Sequence, residues 1–341
     1  MSEERVISGE FSAEADPEEA TLRPRVLEQF LGQPQVKENL RVFIQAARDR
    51  HESLDHVFFS GPPGLGKTTL AGIIANELGV QFRATSAPAL ERPGDLAAIL
   101  TTIGDKNVFF IDEIHRLKPV IEEMLYTAME DFEIDVVMGS GPGARTIKIP
   151  LAPFTLVGAT TKTGLVSGPL YSRFGITTRL DFYTEEDIRA IVRRSAGILR
   201  VKLDEEACGL VANRARGTPR VANRLLRRMR DYAQVWGDGL VNRDIVHRGM
   251  QALMIDALGL DKLDREILRT IIKAYDGGPV GSETLAISIG ESVDTLEDVY
   301  EPYLIQRGLL QRTPRGRMAT RLAYEHLQVP KPAREDQSLL F

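Results

Sequence analysis

The chain has almost no cysteine: Cys208 stands alone. No intrachain disulfide can form, so packed cores must hold the fold, and a reducing compartment suits the composition. Long apolar runs are missing too. No stretch approaches the ~18 residues that a membrane-spanning helix needs. The opening MSEERVISGEFSAEADPEEA is acidic and lacks the apolar centre of a secretory signal. A cytoplasmic protein with a disordered tail over residues 1–20 and no membrane partner is expected. Nor is there an excess of positive charge, since 43 Lys and Arg face 48 Asp and Glu. That balance argues against a chain coated by nucleic acid, because neutralising phosphates takes cations at the contact. It leaves room for a local basic patch. Internal repeats are also absent.

What is present is enough hydrophobic sequence, 43% of 341 residues, for two or three domains at about 150 residues each. Residues 26–50 have helical spacing in Val26, Leu27 and Phe30, then Val36, Leu40, Phe43 and Ile44. Three short apolar runs follow, from His56 to Ser60, Asn107 to Asp112 and Thr155 to Ala159, with helical stretches between them. Continuous apolar runs alternating with helices predict a buried parallel sheet covered on both faces. Ligands of such sheets sit at the carboxyl ends of the strands.

Residues 184–254 read as wholly helical. Thr184 precedes Glu185, Glu186 and Asp187, Asp204 precedes Glu205 and Glu206, and Thr218–Pro219 opens a third helix. Beyond them, Leu263, Ile267, Leu268, Ile271 and Ile272 mark a helix that stops at Asp276-Gly277-Gly278-Pro279. Ser282 is expected to cap a second, and Leu296, Val299, Tyr300, Tyr303 and Leu304 a third that ends at Gly308. LLQRTPRGRMAT then reads as two strands around Pro314-Arg315-Gly316, completing a winged-helix pattern. The expected divisions are a tail over 1–20, a large domain over 21–182, a helical domain over 183–254, a winged helix over 255–330 and a loose end over 331–341.

Residues 61–69, GPPGLGKTT, match the phosphate-loop spacing G-x-x-x-x-G-K-[ST] between a strand and a helix. Gly61, Gly64 and Gly66 let backbone N–H groups close on phosphate oxygens, and the helix opening at Thr68 and Thr69 adds a partial positive charge. Lys67 would reach the β- and γ-phosphates, and the Thr68 hydroxyl would bind Mg²⁺. In VFFIDE, residues 108–113, Asp112 and Glu113 end a buried strand. Adjacent carboxylates there are costly unless a cation or donor partners them. Asp112 would hold the Mg²⁺ shell, and Glu113 would orient and deprotonate the attacking water. His115 reads as structural.

Thr161 ends a second such strand, TLVGATT. It either senses the γ-phosphate or its water, or caps a turn. Arg173 in PLYSRFG lies where a loop leads outward. Arg220 in GTPR lies at a helix start that disfavours a cation, so an anion facing it would explain the placement. Arg23 in LRPR precedes the first helix.

Several stretches together resemble the RuvB family of AAA+ motors, which drive branch migration of Holliday junctions in bacterial recombination. They are LRPRVLEQFLGQ, HVFFSGPPGLGKTTLA, FFIDEIHRL, YTAMEDFEID, FTLVGATTKTG, SRFGITTRLDFY, ARGTPRVANRLLRR and EDVYEPYLIQRGLLQRTPRGRMAT. The first motifs are common to AAA+ proteins, whereas YLIQRGLLQRTPRGR is specific to this family. The resemblance spans roughly residues 20–328. It implies an α/β P-loop NTPase (AAA+) core with a parallel sheet, an all-α lid and a C-terminal winged-helix domain. It implies ATP/ADP and Mg²⁺ as cofactors and a homohexamer on DNA. Thr161 would then be the γ-phosphate sensor, Arg173 an arginine finger acting on the next subunit's ATP, and Arg220 a lid sensor. Leu22, Arg23 and Tyr183 would line the adenine and ribose pocket, and Glu130, Asp131 and Phe132 would border the nucleotide.

The winged helix carries its own signal. Its third helix holds Asp294, Glu297, Asp298 and Glu301, which would repel phosphates, whereas the wing holds Arg312, Arg315 and Arg317. The wing is expected to contact the backbone of duplex DNA without reading bases, since phosphate contacts position without specifying sequence. Val293 stands where the family often has a basic residue, which shifts weight to Arg312 and Arg317. Residues 133–149, EIDVVMGSGPGARTIKI, read as a hairpin with a flexible tip. The resemblance makes it the dock for RuvA, with RuvC joining in the resolving complex. Packing on its own domain is the alternative. Two other functions compete: an AAA+ clamp loader or replication initiator, and a nucleotide-binding DNA scaffold. The RTPRGR wing and the hairpin speak against the former, and Glu113, Thr161 and Arg173 against the latter.

Overall fold

The structure is a computed structural model that describes residues 21–138 and 145–330. The expectations for 1–20, for the hairpin tip and for 331–341 lie outside the described residues. The described chain forms two compact units that divide between Ala190 and Ile191.

The first unit is built on a parallel sheet. Its strands are β1 (Val57–Ser60), β2 (Phe82–Ser86), β3 (Val108–Asp112), β6 (Thr155–Thr160) and β7 (Ile176–Arg179), ordered β2-β3-β6-β1-β7. β4 (Glu133–Met138) and β5 (Arg145–Pro150) form a separate antiparallel hairpin. Phe109 and Ile111 of β3 pack into one cluster with Ile121, Leu125, Ala128 and Met129 of the helix Pro119–Glu130. Val108 and Phe110 alternate to the opposite face and are buried as well. Both faces of the sheet are therefore covered, as the apolar runs predicted.

Register aligns the strand tips. Ser60 pairs with Thr160, Ser86 with Asp112, and Ile111 with Gly158. The carboxyl edge of the sheet thus gathers the phosphate loop, the acid pair and Thr160–Thr161. The amino edge gathers other residues. Gly175 lies against Asp55, the Ile176 N–H donates to the His56 carbonyl at 3.1 Å, and Phe132 packs on His56 and Phe154.

The periodic stretch at 26–50 is not one helix. A 3₁₀ turn, Leu27–Gln29, is separated from the helix Pro34–Arg50 by left-handed Gly32 and Gln33. Proline then occupies the first turn, where its missing N–H costs nothing. β2 and β7 are strands that the apolar pattern did not mark. Both lie at sheet edges, and Phe82, Arg83 and Ala84 are exposed.

The second unit contains most of the helical stretch and the winged helix. Helices Glu205–Arg214, Pro219–Trp236 and Arg243–Ala252 follow Glu185–Leu199, with a two-residue parallel pair, β8 (Lys202–Leu203) and β9 (Leu240–Val241), added. Asp204 accepts from the Ala207 N–H as expected of a cap. Thr218 is the N-cap residue and Pro219 opens the helix, as expected, though the Thr218 hydroxyl donates to the Arg216 carbonyl at 3.2 Å instead of capping. The Arg216 guanidinium is buried, ion-paired to Asp264 and donating to the Gly259 carbonyl at 2.8 Å.

The winged helix comprises helices Lys262–Ala274 and Ser282–Ile289, a third helix from Val293 to Gln306, and β10 (Leu310–Thr313) with β11 (Gly316–Ala319). Gly281, not Ser282, is the cap residue of the second helix. The third helix widens into a π turn over Leu296–Tyr300. Pro302 follows, lacks an N–H for the Asp298 carbonyl and crowds it, a cause of such register shifts. A further helix, Arg321–Leu327, closes the domain. At Gly316, φ is +133°, and a Cβ would collide with the Val280 carbonyl, so the wing needs glycine there.

Candidate functional site

The phosphate loop joins β1 to the helix Lys67–Leu78. Gly61, Gly64 and Gly66 all have positive φ. At Gly61 a Cβ would strike the Leu180 carbonyl oxygen, so the loop can lie this close to the strand behind it only with glycine. Lys67 is buried, and its ammonium donates to the carbonyls of Gly61 at 2.7 Å and Pro62 at 3.0 Å. A desolvated cation held over the loop is placed to meet phosphate oxygens. Thr68 and Thr69 are half-buried at the helix start.

One expected pocket residue, Tyr183, packs on this loop. The Tyr183 hydroxyl donates to the Leu65 carbonyl at 2.9 Å, and burial pushes its pKa up. Leu22 is buried, and Arg23 is half-buried in the same segment. Phe30 and Tyr183 both border Gly66. That segment is tied to the phosphate-loop helix, because Asn76 donates to the Arg25 carbonyl at 3.0 Å and Glu77 accepts from the Leu27 N–H at 2.9 Å.

At the tip of β3, Asp112 accepts from the Glu113 N–H at 3.0 Å. Glu113 has a left-handed backbone, φ +49°. Such conformations concentrate where a side chain must be aimed. Glu113 Oε2 lies 3.2 Å from His115 Nδ1, 3.2 Å from Thr161 Oγ1 and 3.4 Å from the Thr161 N–H. Burial works to raise the Glu113 pKa, but the His115 bond, the Lys67 charge and the Thr161 N–H outweigh it and hold it below the ordinary 4.5. His115, read from sequence as merely structural, thus contacts the acid pair.

Among the described residues, no group of three or more His, Cys, Asp or Glu could hold a metal by themselves. The hydroxyl of Thr68 and the carboxylate of Asp112 suit Mg²⁺, which keeps waters and takes its other ligands from phosphate oxygens. The metal would neutralise charge on those phosphates.

Arg173 lies elsewhere. The chain leaves β6 at the carboxyl edge and returns through 163–175 to the amino edge, where β7 begins. There the guanidinium pairs with Glu130 at 3.0 Å, donates to the Pro169 carbonyl at 2.7 Å and stacks on Tyr126 at 4.4 Å. Its Nε is buried with no hydrogen-bond partner. Asp131 and Phe132 lie at this same edge, since the Met129 carbonyl contacts His56 Nε2 at 3.1 Å and Phe132 packs on that ring. β1 has four residues, so the two edges stand about 13 Å apart by backbone rise. Glu130, Asp131, Phe132 and Arg173 are therefore grouped together, away from the phosphate loop of their own chain.

Arg220 is the second residue of the helix Pro219–Trp236 and is half-buried. On the wing, Arg312 and Arg315 are exposed. Arg317, also expected at the DNA, is less accessible than Arg312 and Arg315. Only 6% exposed, it pairs with Glu301 at 2.6 Å and Glu297 at 2.5 Å. Arg312 also reaches Glu297, at 3.3 Å. Two of the four acids expected to repel phosphates, Glu297 and Glu301, are thus met by the wing's own arginines. The hairpin runs as expected, with Ile134 and Ile149 paired and buried or packed on the core, while Ile147, opposite Val136, is 49% exposed.

The sheet, the glycine loop over a buried lysine and the acid pair define a P-loop ATPase, here followed by a helical lid and a winged helix. Comparison with known proteins narrows the class. The Holliday junction DNA helicase RuvB P-loop domain matches residues 22–180, the RuvB AAA lid domain 183–256 and the RuvB C-terminal winged helix domain 257–328. The chain belongs to the RuvB family. It is 64% identical over 317 residues to a Holliday junction branch migration complex subunit RuvB of Treponema denticola, covering 93% of this chain and 92% of that one. A Koribacter versatilis protein of the same description is 56% identical over 333 residues, covering 98% and 92%. The solved Thermotoga maritima RuvB Holliday junction branch migration motor superposes with a TM-score of 0.85 at 51% identity, covering 92% of this chain and 100% of that chain.

Proposed function

We propose that the chain is one subunit of a homohexameric motor that hydrolyses ATP to drive branch migration of Holliday junctions in recombination and repair. It acts in the cytoplasm with RuvA, and with RuvC in the resolving complex. The relatives named for that activity support the reading. The observation that carries it is the separation of Arg173 from the phosphate loop by the width of the sheet. An arginine there cannot serve its own nucleotide. It suits a neighbour's, which makes hydrolysis depend on ring assembly.

Within a site, Lys67 would bind the β- and γ-phosphates, and Thr68 and Asp112 would hold Mg²⁺. Glu113 would take the proton of the attacking water, and Thr161 would sense the γ-phosphate. Leu22, Arg23 and Tyr183 would enclose the base and ribose, and Arg220 would act from the lid. Arg173 of the adjacent subunit would stabilise charge in the transition state, with Glu130, Asp131 and Phe132 beside it at the shared boundary. Arg312, Arg315 and Arg317 would meet the DNA backbone without reading sequence.

The test is ATP-dependent unwinding of a synthetic four-way junction, with and without RuvA. Unwinding that needs ATP and is stimulated by RuvA is expected; no hydrolysis with DNA and RuvA together ends the motor reading. Ile147→Asp should leave RuvA-independent hydrolysis intact and abolish the stimulation. Undiminished stimulation would remove the hairpin as the dock.

A further inference from the structure

His115 lies outside the nucleotide-contacting set, yet it is fixed with unusual care. Its side chain is 9% exposed. Nδ1 lies 2.8 Å from Thr160 Oγ1 and 3.2 Å from Glu113 Oε2. The Thr160 hydroxyl in turn accepts from the Lys162 N–H at 3.0 Å. These distances decide the tautomer. An unprotonated Nδ1 would aim a lone pair at the carboxylate oxygen, so Nδ1 must carry a proton, shared between Thr160 and Glu113.

We infer that His115 is the positioning residue of the catalytic base. Its Nδ1–H and the Thr161 hydroxyl and N–H all converge on Glu113 Oε2. The acceptor sites of one oxygen are thereby taken, and Oε1 is the oxygen left for the water's proton. The backbone cooperates: left-handed Glu113 turns the chain sharply, so that residue 115 folds back over residue 113. Thr160 belongs to β6, so the imidazole also ties the base on one strand to the tip of the next. A base held at one oxygen has a fixed approach to its water. Freed of that hold, the carboxylate samples rotamers, and a misplacement of about 1 Å costs about a hundredfold in rate.

This inference rests on Glu113 being the base, and the experiment separates the two. Steady-state ATPase kinetics, nucleotide affinity and thermal stability are measured for Glu113→Gln, His115→Ala, His115→Asn and His115→Gln. Asparagine can place an N–H where Nδ1 stands; glutamine reaches further, toward the other nitrogen. His115→Ala and His115→Gln should lower kcat about 10–100-fold with little change in KM or ATP affinity, and His115→Asn should recover most of it. Combined with Glu113→Gln, His115→Ala should add no further loss. Hydrolysis surviving in Glu113→Gln overturns the base assignment itself. A dead Glu113→Gln beside unchanged kcat in His115→Ala and His115→Gln overturns the positioning role alone. Equal losses in the asparagine and glutamine variants, with falling stability or ATP affinity, mean a structural histidine and overturn it too. If His115→Ala does not fold, the asparagine–glutamine pair decides.

Discussion

Two clusters of charge lie in this molecule, one at the tips of β3 and β6 and one under the wing, and they are spent differently. At the strand tips Glu113 is held by a histidine, a hydroxyl and an N–H, with Lys67 near enough to favour its charge. These contacts are hydrogen-bond donors gathered on one oxygen, so the carboxylate remains available for chemistry. Under the wing, Glu297 and Glu301 are met by Arg317 and Arg312, and Arg317 and Glu301 are buried. Charge there is consumed in holding the hairpin to its helix. The same residue types thus serve reaction in one place and cohesion in the other, and burial against a full partner is what separates them.

The sharpest way to break this comparison is at the strand tips. Arg173→Ala should lower hydrolysis about 10³–10⁵-fold and Glu113→Gln about 10²–10⁴-fold, each still binding ATP. Mixing the two inactive variants should restore part of the activity, because one subunit then supplies Glu113 and its neighbour Arg173. A mixture no more active than its parts would show that the two residues do not share a site.

The wing sharpens it at a smaller scale. Arg317→Ala takes the closest partner from the buried Glu301 and should destabilise the winged helix by about 3–5 kcal/mol in denaturant unfolding. Arg315→Ala, at an exposed turn, should leave stability within about 0.5 kcal/mol. It should instead reduce the salt slope of DNA binding by about 1. A lowered salt slope in Arg317→Ala with unchanged stability would make Arg317 a DNA contact first and an ion-pair partner second.

The smallest effect is on pH. The fold holds the Glu113 pKa below the ordinary 4.5, so its contribution to stability is present above that value and lost as pH falls through the lower folded one. Glu113→Gln should therefore flatten the acid side of the stability profile. The acid limb of kcat/KM assigned to this base should likewise lie below 4.5.

Where the sequence succeeded and failed follows burial. β1, β3 and β6 were legible because buried strands must be apolar along their length. β2 and β7 lie at edges, are partly exposed and carry no such pattern. Missing β7 left the position of Arg173 open, since it is the return to start β7 that carries this arginine to the amino edge. His115 gave no signal, because its partners are a residue two places away and a threonine 45 positions on.

By itself the sequence determined the phosphate loop, the acid pair, the order of a parallel sheet, helices and a winged helix, and the family. All of these rest on local spacing and on the apolar character that burial demands. Only the tertiary structure decided that Arg173 stands across the sheet from Lys67, that Arg317 is an internal ion pair and that His115 grips Glu113. Those depend on which distant side chains a crossover or a turn brings within about 3 Å of one another, and residue spacing along the chain does not encode that distance.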